Sequence, residues 1–94
     1  MSRRRVAVTG VGLVSPIGVG TDATWEALLA GQSGIGPITH FDASDFPSRI
    51  AGEVKNFDPT DHLDRKEVRR TDRFVHLAVA ASYYAMQDAG LLID

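Results

Sequence analysis

Not one of the 94 residues is a cysteine. These residues therefore hold no disulfide framework, no thiolate metal site and no cysteine nucleophile. Long apolar runs are missing as well, and nothing approaches the ~18–20 consecutive apolar residues of a membrane span. Met1-Ser2-Arg3-Arg4-Arg5 has the charge of a secretory signal's first region. Glycines and Pro16 then interrupt the chain before an apolar core of such a signal builds up. The sequence reads as soluble and cytoplasmic. A large excess of charge of one sign is missing too. The formal net charge is −2, which excludes a generally basic, nucleic-acid-coating chain and leaves room for a local patch only.

What remains is ordinary soluble-protein material, 44% hydrophobic and 23% charged. The length allows one small domain at most. Such a domain alone would bury ~60–65% of its unfolded surface and be marginally stable. Val6-Ala7-Val8 predicts a short buried strand. Gly10 to Gly20 reads as a long glycine-rich loop around Pro16. Thr21 and Asp22 are N-cap candidates for a helix. Trp25, Leu28 and Leu29 give that helix an apolar face, and Gly31 is its left-handed cap. Residues 37–49 read as an ordered loop, and Ile50 to Val54 as a second short strand weakened by Gly52. Asp58-Pro59 opens a turn, and residues 60–71 carry charges at helical spacing.

Thr71 or Asp72 then caps the strongest element, Arg73 to Ala89, which Gly90 stops. That helix is apolar on most faces and reads as a buried core helix. Ala81, Ala85 and Ala89 recur at i+4, a narrow stripe along which another backbone can pass closely. The order strand, helix, strand, helix points to an α/β class. Leu91-Leu92-Ile93-Asp94 reads as the approach to a further strand, so the chain reads as the front of a longer protein.

The stretch VAVTGVGLVSPIGVG, residues 6–20, poses the main question: is it a phosphate cradle? A dinucleotide fingerprint G-x-G-x-x-G needs a glycine at position 15, where Ser15 stands. The short-chain-dehydrogenase pattern starting at Thr9-Gly10 needs one at position 14, where Val14 stands. The P-loop lysine is missing. The helix also starts only near residue 21, too far from the strand for its dipole to serve a phosphate there. The glycines therefore read as structural, letting a strand leave its sheet and other backbone pass close.

Taken whole, T-G-x-G-x-x-S-P-x-G from Thr9 to Gly18 resembles the start of β-ketoacyl-[acyl-carrier-protein] synthases. The resemblance continues through Thr24-Trp25, Gly31-x-Ser33-Gly34-Ile35, His40-Phe41-Asp42 and Ile50-Ala51-Gly52-x-Val54. It goes on through Asp64-Arg65-Lys66 to Met86-x-Asp88-Ala89-Gly90-Leu91, and so covers the chain end to end. His40 through Val54 looks more like synthase II than synthase I. The resemblance implies a thiolase-like α/β fold, five-layered α-β-α-β-α in the intact protein, with residues 1–94 an incomplete N-terminal part of the synthase domain. It implies a homodimer in which a cysteine nucleophile takes the acyl chain from acyl carrier protein. Two histidines and a lysine then support malonyl decarboxylation and condensation, with an oxyanion hole stabilising the developing charge.

No residue of this chain matches a catalytic position of the family. His40, His62 and His76 read as packed or solvated side chains, and no cofactor or metal is implied. The one candidate surface is basic. Five of the ten basic residues fall between positions 65 and 73. From the sequence alone such a run reads as a solvated helix face trimmed by Asp64 and Glu67. The resemblance implies that Lys66, Arg69 and Arg70 bind the acidic recognition helix of acyl carrier protein. Arg73, where the next helix begins, is left outside that set. Two competing readings stand beside the enzyme: a non-catalytic partner like the chain-length factors, and a nicotinamide-dependent oxidoreductase.

Overall fold

In the computed structural model residues 3–91 are described. Two β-hairpins and three helices follow one another: β1 (Val14–Ser15) and β2 (Gly18–Val19), α1 (Thr21–Leu29), β3 (Ile35–Pro37) and β4 (Ile50–Gly52), a 3₁₀ turn (Pro59–Asp61), α2 (Arg65–Arg70) and α3 (Arg73–Ala89). Both strand pairs are antiparallel.

The glycine-rich stretch holds a hairpin that its loop-like composition conceals. Val14 pairs with Val19 and Ser15 with Gly18 across a Pro16-Ile17 turn. Ser15 stands where a dinucleotide fold would need glycine, and its hydroxyl has other work. It donates to the Gly18 carbonyl at 3.1 Å and lies 3.0 Å from the Thr24 hydroxyl. Thr24 in turn donates to the Gly20 carbonyl at 2.8 Å. This chain of hydroxyls closes the hairpin onto the first turn of α1. The N-cap of α1 is Gly20, not Thr21 or Asp22, and no side chain caps it.

Gly31 and Gly90 both lie at φ 72, ending α1 and α3 in the left-handed conformation the sequence predicts. The glycines upstream of the hairpin serve contact. A Cβ on Gly12 would run into the Ala81 carbonyl and come within 2.5 Å of the Ala85 amide, and one on Gly10 would meet Ala89 at 2.7 Å. The alanine stripe of α3 is thus the bed on which residues 10–12 lie. Asp88 completes the seam by accepting the Val11 N–H at 2.9 Å.

The expected strand at Val6-Ala7-Val8 is not formed, and Val6 is 87% exposed. An extended segment becomes a strand only by pairing, and none of the described residues pairs with it. The apolar face of α1 is likewise uncovered: Trp25, Leu28 and Leu29 are all exposed, and only Ala27 is buried. Nor is α3 the enclosed helix its composition predicts. His76 and Ala80 are its buried residues, and Phe74 is 71% exposed. The second expected strand is confined to Ile50–Gly52 and pairs with Ile35–Pro37. The expected continuation through Leu92-Ile93-Asp94 lies outside the described residues.

The only buried apolar side chains described are three alanines, Ala27, Ala43 and Ala80. The Cα radius of gyration is 16.6 Å, against about 12 Å for a compact chain of this length. These residues form a scaffold of local elements with their large apolar faces turned outward.

Glu53, which follows β4, is the one buried carboxylate among the described residues. It accepts the Thr39 N–H at 3.1 Å, the Thr39 hydroxyl at 2.9 Å and the His40 N–H at 3.1 Å. The His40 ring lies 3.5 Å away. Burial by itself pushes this carboxyl up. The bonds from Thr39 and His40 outweigh that and hold it below its ordinary 4.5.

Two tests follow from these contacts. Gly12→Ala should destabilise the full-length protein by about 1–3 kcal/mol, as over-packing against backbone does. Gly36→Ala, where a new Cβ meets nothing within 4 Å, should leave the thermal midpoint unchanged. Glu53→Gln should lower the midpoint most above pH 4.5, where the ionised carboxylate contributes fully. That difference should shrink as the pH falls through the lowered folded-state value. A difference constant from pH 3 to 7 would disprove the clamp.

Candidate functional site

Helix α2 is six residues long, too short to be stable by propensity alone. Its two ends explain why it forms. At the N-terminus the Asp64 carboxylate accepts the Glu67 N–H at 2.9 Å, an N-cap of the usual kind. In the last turn Arg69 and Arg70 face the negative end of the helix dipole. Just upstream, Asp58 caps the 3₁₀ turn by accepting the Thr60 N–H at 2.9 Å. The Thr60 hydroxyl and amide, with Arg65 adding its charge, hold Asp58 below the ordinary 3.8.

The basic residues of this region divide into two groups. Arg73 leaves the patch: its Nη2 donates to the Val54 carbonyl at 3.3 Å, and its guanidinium lies 5.1 Å from the centre of the Phe57 ring. Helix α2 ends at Arg70, and Thr71 and Asp72 are extended, so Arg73 belongs to α3 and to a different direction. Lys66, Arg69 and Arg70 are all exposed on α2, as is Arg65, whose charge bears on Asp58. Arg70 makes an i,i+3 pair with Glu67 at 3.6 Å, an exposed contact worth little. Lys66 and Arg69 have no ion pair among the described residues.

The histidines take structural places. His62 sits among Phe57, Tyr83 and Tyr84, with ring centres 6.2, 5.3 and 5.4 Å away. His40 lies beside Glu53, its side chain 55% exposed. His76 is buried at the α2–α3 junction. Its Nε2 lies 3.2 Å from the Val68 carbonyl and 3.1 Å from the Thr71 hydroxyl. Sequence reading set His76 aside as a packed residue and missed this connection. Its spacing from Val68 carries no periodic signal, because the contact spans a break between helices.

No group of three His, Asp or Glu side chains among the described residues is arranged to hold a metal ion. A cleft of about 540 Å³ lies between α1 and α3, lined in part by Val11, Thr21, Tyr84 and Asp88. Asp22 and Asp88 give it acidic walls, which repel a phosphate. No described helix is long and apolar enough to cross a membrane.

Residues 3–94 match the family described as "Beta-ketoacyl synthase, N-terminal domain". The 3-oxoacyl-[acyl-carrier-protein] synthase 2 of Synechocystis sp. is 53% identical over 94 residues, all of this chain and 23% of that protein. The synthase of the same name from Coxiella burnetii is 52% identical over the same span. Among solved structures, "The ishigamide ketosynthase/chain length factor" superposes with a TM-score of 0.85 at 41% identity, over 97% of this chain and 23% of that one. The chain thus spans less than a quarter of the length of these relatives. Its α/β elements have the thiolase-like arrangement of a ketosynthase N-terminal domain, and the chain belongs to the β-ketoacyl synthase family.

Proposed function

We propose that residues 1–94 are the opening part of a synthase II-type condensing enzyme of fatty acid elongation, working as a cytoplasmic homodimer. The reaction joins an acyl-enzyme thioester to malonyl-[acyl-carrier protein]. A cysteine thiolate, supplied outside these residues, attacks the acyl thioester and releases the carrier's thiol. The malonyl thioester loses CO2, and the resulting carbanion attacks the acyl-enzyme carbonyl and returns the thiolate. The product is β-ketoacyl-[acyl-carrier protein]. This segment contributes scaffold and a docking surface. The name shared by relatives about half identical to it along its whole length supports that reading.

Lys66, Arg69 and Arg70 on α2 are the residues assigned to carrier-protein docking. What carries the assignment is their exposure on a short helix whose flanking Arg73 is drawn off to Val54 and Phe57. A compact cationic patch speeds encounter with an acidic partner and orients it, and it leaves the complex open to screening by salt. Such a complex forms and dissolves quickly, as repeated delivery of acyl chains demands. A chain-length-factor-like role is the second reading, since the superposed structure carries that name too. The residue at the nucleophile position decides between them.

Reversing all three charges (Lys66→Glu, Arg69→Glu, Arg70→Glu) in the full-length enzyme should raise KM for acyl-[acyl-carrier protein] on the order of tenfold. It should also flatten the rise of KM with ionic strength. Unchanged KM with an unchanged salt profile would overturn the docking assignment.

A further inference from the structure

We propose that His76 is a positioning residue for carrier-protein docking, fixing the direction in which α2 presents Lys66, Arg69 and Arg70. The inference rests on the docking assignment above. Thr71 and Asp72 are both extended, at φ −125 and −83. Two such residues between helices set no angle by themselves, because no helical hydrogen bond spans them. Besides its packing against the 3₁₀ turn, the orientation of so short a helix relative to α3 is set by side chains that cross the junction.

His76 crosses it. The side chain rises from the first turn of α3, is 7% exposed, and reaches back to the last turn of α2. The Val68 carbonyl can only accept, so Nε2 carries the ring proton and donates to it at 3.2 Å. The Thr71 hydroxyl oxygen lies 3.1 Å from the same nitrogen, and its proton goes to the Glu67 carbonyl. One ring thereby ties two carbonyls of the basic helix, Val68 directly and Glu67 through Thr71. These belong to the end of a helix that otherwise leaves its carbonyls unpaired. Nδ1 is buried with no partner among the described residues. The imidazole therefore holds its place through Nε2 alone, and the tie depends on one donor.

The test uses the full-length enzyme with two acyl donors: acyl-[acyl-carrier protein], and acyl-coenzyme A, which presents a thioester without the carrier. His76→Ala should raise KM for the carrier-bound donor about fivefold, the size of effect expected when one such hydrogen bond is lost. The kcat and the loading from acyl-coenzyme A should hold. His76→Gln, whose amide N–H can reach the Val68 carbonyl, should restore the wild-type KM. Thr71→Val, which removes the hydroxyl and keeps the shape, should shift KM in the same direction as His76→Ala.

If the charge-reversal triple raises KM and His76→Ala does not, the positioning role falls and the docking assignment stands. If the triple is silent, both fall. Equal losses with the two donors would reduce His76 to general packing and overturn the proposal. Should His76→Ala fail to fold, an unchanged carrier KM in Thr71→Val overturns it equally.

Discussion

The seam between residues 10–12 and α3 is the constraint on which the other elements depend. Backbone can lie against a helix at this range only where both sides lack bulk, and here glycine faces alanine. Gly10 and Gly12 supply one side, Ala81, Ala85 and Ala89 the other. The Val11 N–H is taken up by Asp88, which ties the segment to the helix. From this seam the chain enters the β1–β2 hairpin, whose hydroxyl network hands it to α1. The same α3 that receives the glycines carries His76 at its other end, beneath the basic helix. One helix therefore fixes both the glycine segment and the base of α2.

Electrostatics in this molecule acts over short distances. The chain as a whole is slightly acidic, yet the six residues of α2 include four exposed cations, Arg65, Lys66, Arg69 and Arg70. The arrangement works by subtraction. Phe57 and the Val54 carbonyl engage Arg73, Asp58 lies near Arg65, and Asp64 is occupied in capping. Among the described residues Arg65, Lys66 and Arg69 make no ion pair, and Arg70 is loosely held by Glu67. Such a patch is small enough to be selective for an acidic surface of matching size and weak enough to release it.

The features legible in the sequence are those that local chemistry decides. Gly31 and Gly90 end their helices because a left-handed residue is needed there, and the alanine stripe declares itself by its spacing. The break before Arg73 was readable because Thr71 and Asp72 favour caps. The features that failed are those needing a partner. Val6-Ala7-Val8 has strand composition and no neighbouring strand among the described residues. Trp25, Leu28 and Leu29 have helical spacing and nothing laid over them. The β1–β2 hairpin escaped because two-residue strands are too short to show alternation. The connection from His76 to Val68 depends on how two helices cross, which no periodicity records. The cationic trio was visible as a cluster of charge separate from Arg73, and the contacts that engage Arg73, with the Val54 carbonyl and the Phe57 ring, came from the structure.

The bond from Val11 to Asp88 joins residues 77 positions apart, and this separation governs the order in which the fold can assemble. Closing a loop of that length costs about 4 kcal/mol in chain entropy before any contact offsets it. The hairpin and α1 are joined by Ser15 and Thr24, only nine positions apart, and α2 meets α3 across a shorter gap still. These pieces can form early and separately. Residues 10–12 must wait until α3 has been made to its last turn, so this glycine segment settles later than the hairpin and helix that directly follow it.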